Sequence, residues 1–413
     1  AGHDISAGGL VTALLEMCFG HAKGGLNLCL DELAMGMGAE GDLMRVLFAE
    51  NPAVLVQAND AKAVEQLMNE AGLKYFRLGN VATERQLTLV FGQEVIKLDI
   101  DPLRDVWYRP SYLLERRQSA GNCPEQRFEN YKKQPLEFVF NKNFTGRHSQ
   151  YGISPDRRQK TGVKAAIIRE KGVNGDREMA YCLYLAGFDV KDVHMTDLMS
   201  GRETLEDINM IVFVGGFSNS DVLGSAKGWA GGFLFNETAR RSLERFYARP
   251  DTLSLGICNG CQCMMALDLL YPQYEKKGQM LHNNSHKFES EFISVSIPEN
   301  NSVMFGSLSG SKLGIWVAHG EGKFSLPYDE SKYQIIAKYN YDAYPANPNG
   351  SDYACAGMCS ADGRHLAMMP HLERAVFPWQ WAHYPEDRLH SDEVTPWIEA
   401  FVNARRWVEN NKK

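Results

Sequence analysis

The sequence predicts an α/β protein in which a doubly wound, mostly parallel sheet fills the larger C-terminal part and a smaller α+β segment precedes it. Three observations predict this. Short apolar runs at Lys164-Ala165-Ala166-Ile167-Ile168, Met210-Ile211-Val212-Phe213-Val214 and Leu253-Ser254-Leu255-Gly256-Ile257 alternate with helical patterns, as parallel strands joined by helices require. The first hundred residues mix helix and hairpin signals without that alternation. Between the two, residues 119–161 change character: prolines at 124, 135 and 155, many Asn, Gln and charged residues, few aliphatics.

In chain order, residues 8–19 place Leu10, Val11, Leu14, Leu15, Cys18 and Phe19 at helical spacing, with Ser6 as a possible cap. Ala53-Val54-Leu55-Val56 reads as a buried strand, and residues 59–70 as a helix capped by Asn59 or Asp60. Residues 86–91 and 94–100 form a hairpin across Gly92-Gln93. Residues 101–118 read as a helix with Pro102 in its first turn. The stretch 119–161 is a connector wrapped on a surface and partly ordered through Phe138-Val139-Phe140. Beyond it, helices over 176–186 (ending at Gly187), 236–247 and 259–270 separate the three apolar strands. The predicted domains are thus 1–118, a connector 119–161, and 162–413.

Composition narrows the function classes. Lys+Arg number 44 against 51 Asp+Glu, a net charge of −7, which leaves no basic footprint for nucleic acid or anionic membrane. No apolar run approaches the about 18–20 residues of a membrane helix. Nine cysteines, an odd count without a disulfide-like spacing, point to a reducing, cytoplasmic compartment. The chain opens Ala1-Gly2-His3-Asp4, with neither Met nor a signal-peptide pattern, so a piece of something longer is expected.

In doubly wound sheets, sites gather at the carboxyl ends of strands. Just after Ile257 stands Gly256-Ile257-Cys258-Asn259-Gly260, a G-x-C-x-G turn between strand and helix. A nucleophile on such a turn needs small neighbours, and the helix N-terminus favours thiolate and leaves the Asn259 amide free for an oxyanion. The alternative is a small buried hydrophobe. Cys261 and Cys263 complete a C-x-x-C-x-C, but no second cluster has metal-ligand spacing, so packing is the better reading and no metal is expected. Of eleven histidines, His371 follows the apolar strand Leu366-Ala367-Met368-Met369 and Pro370. In extended backbone Glu373 would point the same way and fix its tautomer.

These residues resemble the class I (triad) glutamine amidotransferases, a flavodoxin-like fold. Val214-Gly215-Gly216-Phe217-Ser218, Ala318-His319-Gly320-Glu321-Gly322, Tyr344-Pro345-Ala346-Asn347-Pro348-Asn349-Gly350-Ser351 and Met368-Met369-Pro370-His371 resemble, within them, the glutaminase domain of the large single-chain phosphoribosylformylglycinamidine synthase family. His3-Asp4-Ile5-Ser6-Ala7-Gly8-Gly9-Leu10 is similar to that family's aminoimidazole-ribonucleotide-synthetase-like domains, and by its place to the second copy. The sequence departs from the family at Leu372, usually Pro, and at Glu291, where Arg is common.

The resemblance implies that Cys258, His371 and Glu373 hydrolyse glutamine through a glutamyl thioester. It assigns oxyanion and substrate binding to Gly215, Gly216, Phe217, Asn259, Gln262, Asn284, Ser285, His286, Phe288, His319 and Glu321. The ammonia would pass to a synthetase domain that converts formylglycinamide ribonucleotide with ATP. No cofactor is implied in the glutaminase. ATP and Mg2+ are implied for the synthetase part missing from these residues, of whose pocket His3 could be a remnant. Asp42, Asp60 and Asp101 show no magnesium-site spacing. The competing readings are a catalytically silent docking or regulatory module and a cysteine hydrolase on the same fold.

Overall fold

A computed structural model describes residues 1–133 and 136–411, so Pro135 of the proline-rich stretch lies outside it. The chain divides into two compact units, 1–117 and 118–413.

In the first unit, β1 (Gly2–Asp4) pairs antiparallel with β3 (Val54–Val56). A second sheet has the order β4-β2-β5-β6, from β2 (Gly25–Cys29), β4 (Gly79–Ala82), β5 (Gln86–Phe91) and β6 (Glu94–Asp99). The β5–β6 hairpin turns at Gly92, whose φ of 57° suits glycine. The first helix, Gly9–Phe19, buries Leu10, Val11, Leu14, Cys18 and Phe19, but its cap is Gly8 (φ 85°) and not Ser6. Asp60 caps the helix Ala61–Glu70 by accepting from the Ala63 N–H at 3.1 Å. The strand at 54–56 is not buried as its composition suggested: Val54 and Val56 are exposed and only Leu55 faces the core, because β1 is its sole partner. His3 sits on β1 with Nε2 3.1 Å from Glu16. Asp42 caps a helix at 43–48, and Asp101 pairs with Arg85 at 3.0 Å. Asp42, Asp60 and Asp101, whose spacing suggested no magnesium site, thus each have a structural partner.

The second unit is built on a nine-stranded sheet. Its strands are β7 (Lys164–Arg169), β8 (Asp189–His194), β9 (Met210–Phe213), β10 (Leu253–Ile257), β12 (Glu289–Ser296), β13 (Lys312–His319), β15 (Gln334–Tyr339), β16 (Cys355–Cys359) and β17 (His365–Met368). A separate ribbon pairs β11 (Gln279–Leu281) with β14 (Lys323–Ser325). The order β8-β7-β9-β10-β17 is parallel throughout and follows the 2-1-3-4-5 arrangement of flavodoxin-like sheets. The α/β class and the parallel sheet are as the sequence predicted. Beyond β17, β16, β15, β12 and β13 extend it as an antiparallel wing.

Local sequence explains the helices that flank it. Asp176 and Glu178 lie in the first turn of the helix Asp176–Ala186, where the dipole favours anions, and Gly187 (φ 110°) ends it. Asn236 caps Glu237–Ala248 through the Ala239 N–H at 2.9 Å. Described residues between 118 and 161 pack into this unit: Val139 bridges Lys312 in both directions at 2.8 and 2.9 Å, and Phe138 meets Trp381 edge-on at 4.9 Å.

Candidate active site

Adjacent parallel strands end together, and three of those ends carry the candidate residues. Cys258 follows β10 with φ 51° and ψ −108°, a conformation that strains a side-chain-bearing residue. The turn closes only because its neighbours are glycines. A Cβ on Gly260 would stand 2.0 Å from the Phe213 carbonyl oxygen of β9, and one on Gly256 2.7 Å from the Gly260 carbonyl oxygen. The helix Asn259–Ala266 starts at once, so the cysteine sits at a helix N-terminus with its unpaired N–H groups and partial positive charge, and its Sγ donates to the Ala318 carbonyl at 3.6 Å. This is shorter than the helix expected to 270; Asp268, at φ 56°, lies beyond its end. Cys258 N–H donates to the Met368 carbonyl at 2.9 Å, which carries the sheet ladder one step past the strand and fixes the thiol relative to β17.

His371 lies three residues beyond β17, its N–H bonded to the Trp316 carbonyl of β13 at 2.9 Å. Glu373 does not meet it across extended backbone. A 3-10 turn over Leu372–Arg374 brings Glu373 Oε1 to 2.7 Å from His371 Nδ1, with both side chains nearly inaccessible to water. Leu372, in the position where proline was noted, is buried in the core. Burial works against charging His371, but the Glu373 carboxylate, with Cys258 through charge and hydrogen bonding, outweighs it and raises His371 to about 10. A Cβ on Gly215 would come 2.8 Å from His371 Cε1 and 3.5 Å from Cys258 Cβ. Cys258 and His371 therefore both lie against Gly215, while Glu373 holds the imidazole at Nδ1.

The oxyanion side is built by Gly215 to Asp221. Gly216 has φ 120° and lies against the backbone of Val173 and Asn174, where a Cβ would be 2.5 Å from the Asn174 nitrogen. Of the Gly216-Phe217 turn, whose residues the resemblance assigns to oxyanion and substrate binding, the Phe217 N–H donates to the Gly172 carbonyl at 3.0 Å. This leaves the Gly216 amide, with that of Asn259, as the donors without a partner among the described residues. Asn219, Ser220 and Asp221 are consecutive non-glycine residues at positive φ (51°, 56°, 48°). Such a run persists only where contacts hold it. Asn259 supplies them: its Oδ1 accepts from Ser218 N–H at 3.1 Å and its Nδ2 donates to Asp221 Oδ1 at 3.3 Å. Burial raises the Asp221 carboxyl above its usual value, against hydrogen bonds from the Ala226 amide, Asn259 and Ser225. Neither Asp221 nor a role for Ser218 beyond its motif was singled out from the sequence, because the Asn259 side chain that ties them together lies far along the chain.

Gln262 bridges Asn259 and the Glu321 carbonyl at 3.0 and 2.7 Å, and Glu321 Oε2 accepts from Ser225 N–H. His319 is buried, and burial followed by the proximity of His371 holds it down at about 3, a neutral imidazole. Its Nδ1 contacts Asn283 Oδ1 at 3.3 Å. Asn284 accepts from Lys323 Nζ at 2.9 Å, Ser285 bonds Glu289, and His286 turns at φ 54° beside His282. Phe288 and Phe217 are half-exposed, their rings 6.0 Å apart. Glu291 stands on β12 opposite Val317. Three buried polar atoms here, Ser218 Oγ, His319 Nε2 and Glu373 Oε2, have no hydrogen-bond partner among the described residues. Cys261 and Cys263 are fully buried, and burial pushes both thiols up, as packing residues would be. Among the described residues no group of three His, Cys, Asp or Glu could hold a metal, and no helix is long and apolar enough to cross a membrane.

Fold and site together define a class: a flavodoxin-like α/β domain with a cysteine on a strand-to-helix elbow beside a buried histidine–carboxylate pair. The chain belongs to the CobB/CobQ-like glutamine amidotransferase domain family, whose model matches residues 162–408. Residues 1–92 match the C-terminal domain of AIR synthase related proteins. Over 99% of the chain it is 39% identical to human phosphoribosylformylglycinamidine synthase and 38% to the probable chloroplastic/mitochondrial form of Arabidopsis thaliana. It spans 32% and 30% of those proteins. Among solved structures, PurLQS from Thermotoga maritima is 26% identical, with TM-score 0.44, covering 60% of this chain and 99% of that one.

Proposed function

We propose that the second unit hydrolyses glutamine with Cys258 as nucleophile, His371 as proton carrier and Glu373 as its orienter. The observation that carries the reading is the convergence of a strained cysteine at a helix N-terminus with a buried 2.7 Å His371–Glu373 pair. The thiolate attacks the side-chain amide carbon, and the oxyanion is held by the Gly216 and Asn259 amides. His371 gives its proton to the departing nitrogen, releasing ammonia and leaving a thioester. It then takes a proton from water as the hydroxyl attacks, and glutamate leaves. Neutral His319 and the loop 283–288 form the wall where glutamine binds, with Gly215, Phe217, Gln262 and Glu321 shaping it.

In the longer chain the ammonia serves a C–N ligase that makes formylglycinamidine ribonucleotide from formylglycinamide ribonucleotide, as the names of the relatives suggest. ATP and Mg2+ belong to that reaction. Asp42 and Asp60 are used in helix caps and Asp101 in an ion pair with Arg85, so these three acids do not fit a magnesium–nucleotide site by themselves. A connector over 119–161, marked by its composition, would join the synthetase-like residues 1–118 to a glutaminase that the resemblance starts near Gly162. A reducing, cytoplasmic compartment fits nine free cysteines, although the Arabidopsis relative is named as an organellar protein.

A diazo-ketone analogue of glutamine tests the reading: it should alkylate Cys258 alone. Cys258→Ala in the full-length chain should abolish glutamine-dependent product and keep ammonia-dependent product. Absence of an adduct would favour the silent-module reading, and hydrolysis of unrelated amides would favour the general hydrolase.

A further inference from the structure

Glu289, the first residue of β12, is a buried carboxylate directly opposite His319 on β13. Side chains of directly opposed residues share one face of a sheet. A buried charge must be compensated, and the compensation comes from the segment before the sheet. Arg127, on the helix Cys123–Asn130, places Nη2 3.3 Å from Glu289 Oε2. The Tyr344 hydroxyl lies 3.1 and 3.2 Å from the two carboxylate oxygens, and the Ser285 hydroxyl donates to one. Arg127 also bonds the Tyr344 hydroxyl and stacks over its ring at 4.7 Å.

The same helix grips the backbone on either side of this cluster. Asn130 Nδ2 donates to the Tyr344 carbonyl at 3.0 Å and Gln126 Oε1 accepts from the Tyr344 N–H at 3.0 Å, while just ahead of the helix the Ala120 N–H donates to the Ser285 carbonyl at 2.9 Å. The gripped loop reaches the candidate site. Asn283 Oδ1 takes the Gly322 N–H at 2.9 Å and touches His319, while the Phe288 ring lies beside Phe217, next to the open Gly216 amide.

We infer that Arg127 is a positioning residue for glutamine: through Glu289 and Ser285 it holds the loop 283–288 against the site, so residues ahead of the sheet set the affinity for the substrate. This rests on the glutaminase reading above. Removing the guanidinium should loosen the glutamine wall without touching Cys258 or His371, and should therefore act on KM.

The test uses the full-length chain. Arg127→Met should raise KM for glutamine ~10-fold or more with kcat within about 3-fold, the pattern of lost ground-state binding, and leave the ammonia-dependent rate unchanged. Arg127→Lys should recover part of the loss. If the unpaired Glu289 charge unfolds Arg127→Met, the double variant Arg127→Met/Glu289→Gln removes that charge, and its KM should still be raised. Amide hydrogen exchange over 283–288, which needs no turnover, should rise in both variants. A folded variant with KM and exchange unchanged would overturn the inference, as would a fall in kcat alone. If the wild type neither releases glutamate nor takes the diazo-ketone label, the glutaminase reading fails, and the exchange measurement still decides whether Arg127 holds the loop.

Discussion

At Glu373 burial is almost total and Oε1 is committed to His371, so the carboxylate holds the imidazole and favours its charged form. His371 is raised to about 10, above its ordinary value. A raised folded value contributes stability that is complete below the unfolded value, near 6.5, and disappears as pH climbs through about 10. Glu373→Gln removes the main upward influence. The stability gap between wild type and variant should be widest near about pH 6 and close toward about pH 10, as read by thermal unfolding across that window. Glutamine turnover should fall by up to about 10⁴-fold, the scale set by losing the carboxylate that orients a proton-carrying histidine. A gap that does not vary with pH would show that the pair is not charged. The sequence exposed this pair because its two members are neighbours in the chain. It hid the occupied Phe217 amide and the Asp221 anchor, whose partners Gly172, Ala226 and Asn259 are set by folding.

The elements that carry the site were legible for a related reason: an apolar strand ending in G-x-C-x-G, followed by a helical pattern, has the small neighbours that a sharp strand-to-helix turn needs. The turn gives a prediction at its own scale. Gly260→Ala would put a methyl 2.0 Å from a backbone oxygen of β9, a clash that no side-chain rotation relieves. It should cost about 1–3 kcal/mol or more in denaturant unfolding and slow labelling of Cys258. Gly231→Ala is the control, since on the helix Lys227–Leu234 its methyl meets only the Phe235 ring at 3.7 Å. Alanine there should be neutral, or stabilising by up to about 1 kcal/mol from helix propensity. Equal losses at both positions would mean that the elbow imposes no special constraint. The antiparallel wing was not legible. Its strands mix buried and half-exposed positions, as in Glu289–Ser296 and Lys312–His319, and their pairing is decided by neighbours far along the chain.

For the second unit as a whole, the question is where it begins. Composition marked 119–161 as a connector, because it is polar and rich in proline. Composition does not reveal that a few of its residues fill gaps in the folded sheet. Arg127 neutralises Glu289, and Phe138 and Phe140 meet Trp381 edge-on. Tyr151 is buried with its hydroxyl 3.1 Å from Glu399, and Arg157 joins Asp189 at 3.2 Å and the Phe188 carbonyl at 2.7 Å. A fragment starting at Gly162 lacks all of these. It would leave Glu289 buried without its cation, a loss of about 3–5 kcal/mol when one partner of a buried pair is removed, and would expose aromatic surface around Trp381. Against a total stability of about 5–15 kcal/mol, that loss decides whether the fragment folds. The fragment 118–413 should therefore unfold cooperatively, at a clearly higher denaturant midpoint than 162–413, which should aggregate or melt near room temperature. Coincident midpoints would mean that residues 118–161 merely lie on the surface, and the dependence of the glutamine wall on Arg127 would fall with them.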